Sequence, residues 1–160
     1  MINRLIEIIS KEAALFETFL HLLQKQKEML VSNDLTGLTD VTRQQQQKLM
    51  ESRELNRQRE DLVEAIKAAN AIEGDLTVSR LLDLVDQAQA DRLLHLRDVI
   101  VGINDQITAA RNTNAMLVNQ SREFIARTMA ALAKINSPGG TYAPSGMESG
   151  DGNVVVDRRA

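Results

Sequence analysis

The two histidines are the side chains best placed in this sequence for metal or acid–base chemistry, and each has carboxylates one helical turn away. Glu17 precedes His21 by four residues; Asp91 precedes His95 by four, and Asp98 follows it by three. At that spacing a carboxylate and an imidazole share one helix face and can hold a divalent metal. Di-metal sites in helical bundles, however, use Glu-x-x-His on two helices with two further Glu, and helical zinc proteases use His-Glu-x-x-His. Neither pattern occurs here. With no Cys there is no thiol nucleophile, disulfide or thiolate ligand. The pair Gly139-Gly140 is not followed by a helix carrying Lys, so it forms no phosphate-binding loop. The expectation is a protein that is not an enzyme, with no metal and no cofactor.

The elements that would position these residues are helices. The chain has 160 residues, enough for one domain, and only Gly37, Gly74 and Gly102 interrupt it before Pro138. Leu, Ala, Glu, Gln, Lys and Arg abound, which are the good helix formers. The net charge of −3 opposes a general nucleic-acid binder, which needs a basic face to meet phosphates. No stretch approaches 18 uncharged apolar residues, so no membrane insertion is expected. The opening "MINRLIEIISKEAALF" lacks the basic start and apolar run of a secretory signal. Together these point to a cytoplasmic helical protein.

Hydrophobic spacing divides the chain. Ile2, Leu5, Ile9, Ala13, Phe16, Leu20 and Leu23 recur in threes and fours, and the stripe resumes at Leu30 after Gln26 and Lys27. Ile6, Ile8, Phe19 and Leu22 widen it, so more than one partner helix must cover it. Asn33 or Asp34 can end this helix and cap the next. The second helix, about 35–70, carries Leu38, Val41, Leu49, Leu55, Leu62, Val63 and Ile66. Arg43 to Lys48 ("RQQQQK") interrupts that stripe and reads as a solvated stretch. Gly74 and Asp75 make a turn, and Thr77 or Ser79 caps a short helix. A third long helix follows from about 87 to 135. The predicted fold is all-α: an elongated antiparallel bundle of three long helices plus one short helix. Residues 1–136 form the single bundle domain, and 137–160, rich in Gly, Pro and Ser, form a flexible C-terminal tail.

The last long helix carries an oddity. Taken in sevens, one line reads Leu93, Ile100, Ile107, Asn114, Ser121, Thr128, Ile135, and its neighbour Leu96, Ile103, Ala110, Leu117, Phe124, Ala131. These are the seam of a bundle. The first line turns polar after Ile107, while Val118, Ile125 and Leu132 add an apolar line on the other side. A buried polar group without a partner costs roughly 1–3 kcal/mol. Two explanations stand. Asn114 and its successors pair with polar groups on a facing helix and fix register, or the stretch is a half-open docking face for an apolar helix of another protein.

Three stretches carry a family likeness: "LIEIISKEAALFETFLHLLQKQKEML", "RQQQQKLMESRELNRQREDLV" and, above all, "NAMLVNQSREF". The last matches an Asn, a small residue, Leu, an aliphatic residue and Ser-x-x-Phe, here Asn114, Ala115, Leu117, Val118, Ser121 and Phe124. Ala115 stands where Gly is common. In these the chain resembles the FlgN-type flagellar type III secretion export chaperones over about residues 1–136. The resemblance implies a cytoplasmic, non-catalytic chaperone. It would bind the C-terminal helical segments of hook–filament junction proteins (FlgK and FlgL) and deliver them to the flagellar export machinery. It implies that the C-terminal half binds cargo, with Asn114, Leu117, Val118, Ser121, Phe124, Ile125, Thr128 and Leu132 as the candidate face and Phe124 as its anchor. Tyr142, the only Tyr, is the candidate contact with the export gate. Monomer and homodimer both stay open. The alternative is a helical-bundle adaptor or tether with another helical partner.

Overall fold

The structure, a computed structural model, describes residues 1–135. Four helices make up its regular structure: α1 (Ile2–Ser32), α2 (Leu35–Ala69), α3 (Val78–Leu82) and α4 (Gln87–Ile135). The chain divides into two compact units, Met1–Glu123 and Phe124–Ala160. The first contains α1, α2, α3 and most of α4; the described part of the second is the last turns of α4.

The helix boundaries follow from single residues. Asn33 adopts the left-handed conformation (φ 55°) that ends α1, and the Asp34 side chain then accepts from Gly37 N–H at 2.9 Å to start α2. The two candidates for that turn thus divide the task, because an αL stop and an N-cap need different backbone angles. Asn70 caps the C-terminal end of α2, and Gly74, at φ 81°, takes the chain through the following turn. Thr77 Oγ1 accepts from Arg80 N–H at 3.3 Å and starts α3. The Arg80 guanidinium donates to the carbonyls of Glu73 and Asp75 and ties the short helix to that turn.

Within the first unit α1 and α2 run antiparallel, as the pairings Glu12–Arg59 and Gln26–Gln45 require. The α4 helix runs beside α1 in the same direction: Gln89 reaches Asn3 near one end, and Asn114 reaches Leu23 near the other. Among the described residues, α1 and α2 are the one pair of helices whose backbones lie close along their length. The core cluster is Leu5, Ile6, Ile66, Leu81 and Leu93, where the start of α1, the end of α2, α3 and the start of α4 meet. Leu5, Ile6 and Ile66 keep 2% or less of their surface exposed. Burying each such side chain stabilises by about 1.5–3 kcal/mol. Leu81 explains the short helix: one turn carries one large side chain into the space between α2 and α4.

The second helix departs from its expected stripe. Leu49 is exposed, whereas Gln45, inside the run read as solvated, is buried. Gln46 and Gln47 do face solvent. The reason is a hydrogen-bond partner that lies on another helix.

Candidate functional site

Gln45 stands four residues after buried Val41, so it occupies the next place on the inward face of α2. Gln26 likewise follows Leu23 on α1. In the fold these two amides meet Asn114 of α4 and form a polar layer across three helices. Asn114 Nδ2 donates to Gln26 Oε1 and to the Leu23 carbonyl, both at 2.9 Å, and Gln45 Nε2 donates to Gln26 Oε1 at 3.3 Å. Asn114 keeps only 5% of its surface exposed. Its Oδ1 is buried without a donor. The orientation is self-consistent, since a flipped Asn114 amide would set its oxygen against two acceptors. A seam position filled by an amide on each of three helices was the available signal, yet only Asn114 stands out as unusual in its own helix. The same holds for Glu12, which lies inward on α1 and accepts from Arg59 Nε at 3.2 Å.

Beyond this layer the remaining α4 candidates separate by burial. In the first unit Leu117 and Ser121 are half-buried and Val118 is exposed. In the second unit Phe124, Ile125, Thr128 and Leu132 are all exposed, Phe124 at 67%. Thr128 Oγ1 donates back to the Phe124 carbonyl at 2.9 Å, a bond that satisfies the hydroxyl within the helix. Met129 and Ile135, not among the sequence candidates, are also exposed. Ile125, Met129 and Leu132 recur at three-four spacing with Phe124 beside them, so they make an apolar ridge on the last turns of α4. Every residue from Arg122 to Ile135 is exposed.

The match of a family model described as FlgN protein covers residues 1–150 of the 160. The chain belongs to the FlgN family. No curated protein and no solved structure showed significant similarity to it. FlgN proteins are flagellar export chaperones and not a catalytic family.

In this FlgN chain Glu17, His21, Asp91, His95 and Asp98 all lie on exposed helix surface. Both histidines are exposed, and no group of three potential metal ligands occurs among the described residues. Two carboxyls titrate below their ordinary range, and both lie on solvent faces. Hydrogen bonds from Lys11 and Arg4 hold Glu7 down, and those from Arg43 and Gln44 hold Asp40 down. Such local pairs stabilise helices modestly, and they hold the carboxylates ionised, the opposite of the raised pKa a general acid needs. No described helix is long and apolar enough to cross a membrane. Tyr142 and the 137–160 tail lie outside the described residues.

Proposed function

We propose that this protein acts in the cytoplasm, binding the C-terminal helical segments of FlgK- and FlgL-type hook–filament junction proteins and handing them to the export machinery. One observation carries the reading: the apolar ridge of Phe124, Ile125, Met129 and Leu132 lies open on the last turns of α4. A soluble protein that leaves aromatic and aliphatic side chains exposed at helical spacing offers an anchor surface for another helix. Phe124 is the natural anchor, because buried aromatics dominate interface energies. Leu117, Val118 and Ser121 contribute where they surface in the first unit, and Asn114 sets register beneath them. A chaperone must also let go, and a narrow ridge releases more readily than a closed aliphatic seam. Tyr142 is the residue through which the export machinery would be engaged.

Titration of wild type and Phe124→Ala with a FlgK C-terminal fragment, alongside thermal melts, tests this. The expected result is an affinity loss of about 2 kcal/mol or more, with the melting temperature unchanged because Phe124 is 67% exposed. A large fall in melting temperature with affinity unchanged would return Phe124 to a structural role and overturn the reading.

A further inference from the structure

The unit Met1–Glu123 carries a long trench that shares only Asn114 and Val118 with the candidate cargo face. Its floor is α1, and its walls are α2 and α4. At the core end a cavity of about 570 Å³ lies over Ile9, Glu12 and Phe16, between Ser52–Arg59 on α2 and Leu93–Val101 on α4. Next comes a space of about 150 Å³ over Phe16 and Phe19, bounded by Leu49, Ser52 and Ile107. A second cavity of about 570 Å³ follows over Phe19 and Leu23, bounded by Gln45, Asn114 and Val118. Phe16 and Ser52 line the first two, and Phe19 lines the last two, so the three are one trench. Its α4 wall runs from Leu93 to Val118, about 38 Å at ~1.5 Å per residue.

The trench exists because α4 meets the α1–α2 pair through side chains rather than by close backbone approach, and α3 fills the gap for one turn only. Parallel helical walls over an apolar floor are the shape that receives another helix, ridge into groove. The charge on the walls is unlike that of the whole protein. Net charge is −3, yet Lys48, Arg53, Arg59, Arg97 and Arg111 line the trench against the single carboxylate of Glu12. Glu12 is taken by Arg59, Lys48 by Glu51 and Arg97 by Asp98. Arg53 and Arg111 have no carboxylate partner among the described residues. They stand at opposite ends of the trench, and near Arg111 the Asn114 Oδ1 is a buried acceptor without a donor.

We propose that this trench is the docking site of an acidic amphipathic helix from a partner protein, its apolar stripe on Ile9, Phe16 and Phe19 and its carboxylates against Arg53 and Arg111.

The test is a fluorescence-anisotropy titration of the full chain with a labelled synthetic peptide of about 22 residues. The peptide contains Leu at three-four spacing with Ala and Glu, and its control has Lys in place of Glu. The acidic peptide is expected to bind at least tenfold tighter than the control, and more weakly as salt rises. Arg53→Glu with Arg111→Glu should weaken it at least tenfold and reverse the preference. Both side chains are exposed, so the melting temperature should hold. Ser52→Trp, which fills the trench, should abolish binding of both peptides, and Phe124→Ala should leave it unchanged.

Equal binding of the two peptides, or unchanged affinity in the double Arg variant, overturns the proposal. So does loss of binding in Phe124→Ala, which would place the peptide on the last turns of α4. A rise in affinity when Val155→Ser is introduced into the tail would make the chain's own valine-bearing end the occupant. A dimer that Ser52→Trp dissociates in sedimentation would make it a second copy. Either result overturns a partner helix.

Discussion

Asn114 answers to two requirements at once. It is buried where a leucine would pack, and it joins α1 to α4 through Leu23 and Gln26. The polar layer specifies register, since sliding either helix by one turn would strand three amides in an apolar seam. Its Oδ1 nevertheless lacks a donor, and an unsatisfied buried acceptor costs roughly 1–3 kcal/mol. Asn114→Leu is therefore expected to raise the unfolding free energy by about 1 kcal/mol, read from urea denaturation. Gln26 Oε1 would keep its bond from Gln45. A fall of similar size would mean that Oδ1 is satisfied in solution. The polarity of Asn114 was legible from its place in an aliphatic seven-residue line. Its partners were not, because Gln26 and Gln45 are ordinary surface residues until the helices are docked.

At the scale of elements, punctuation was the most legible part of the chain. The turn "VSND" and the caps Asp34 and Thr77 act through local hydrogen bonds, which need no knowledge of the fold. The end of α2 shows a local rule broken. Ile72 N–H donates to the Lys67 carbonyl at 3.0 Å and Ala71 N–H to the Ala68 carbonyl at 3.5 Å, the pattern of a Schellman stop. That stop places Ala71 at φ 50°, where a Cβ is crowded and glycine is the usual occupant. Ala71→Gly should stabilise the protein by about 1 kcal/mol, seen as a higher melting temperature with an unchanged circular-dichroism spectrum. At Gly37 the opposite holds, since a Cβ there would meet Met29 Sδ and the capping carboxylate of Asp34.

At the scale of the whole molecule, burial is unevenly distributed. The tight core gathers Leu5, Ile6, Ile66, Leu81 and Leu93, whereas no residue after Ser121 among those described is even half-buried. A helix without tertiary cover has little beyond its own propensity to hold it. Amides of Phe124–Ile135 should therefore exchange with solvent far faster than those around Leu5, Ile66 and Leu93, by at least a hundredfold in hydrogen-exchange mass spectrometry. Comparable protection at both places would show a cover over the last turns of α4. The all-α class and three long helices were readable from spacing alone. The trench was not. Its width depends on how side chains from α1, α2 and α4 fill the space between them, and α4 lies far from the others in sequence. Leu49 shows the limit: its spacing puts it on the inward stripe, yet it stays exposed beside the trench that Ile107 of α4 also lines.

The open methionines have a redox consequence. Met50, Met116 and Met129 are each more than half exposed, and Met129 sits within the apolar ridge. The chain has no cysteine, so a mild oxidant finds thioethers instead of thiols. Converting Met129 to its sulfoxide places a polar, chiral group in the middle of that ridge while leaving the buried cluster untouched, since no methionine belongs to it. If the ridge binds cargo as proposed, peroxide weakens that binding without unfolding the protein, and methionine sulfoxide reductases restore it.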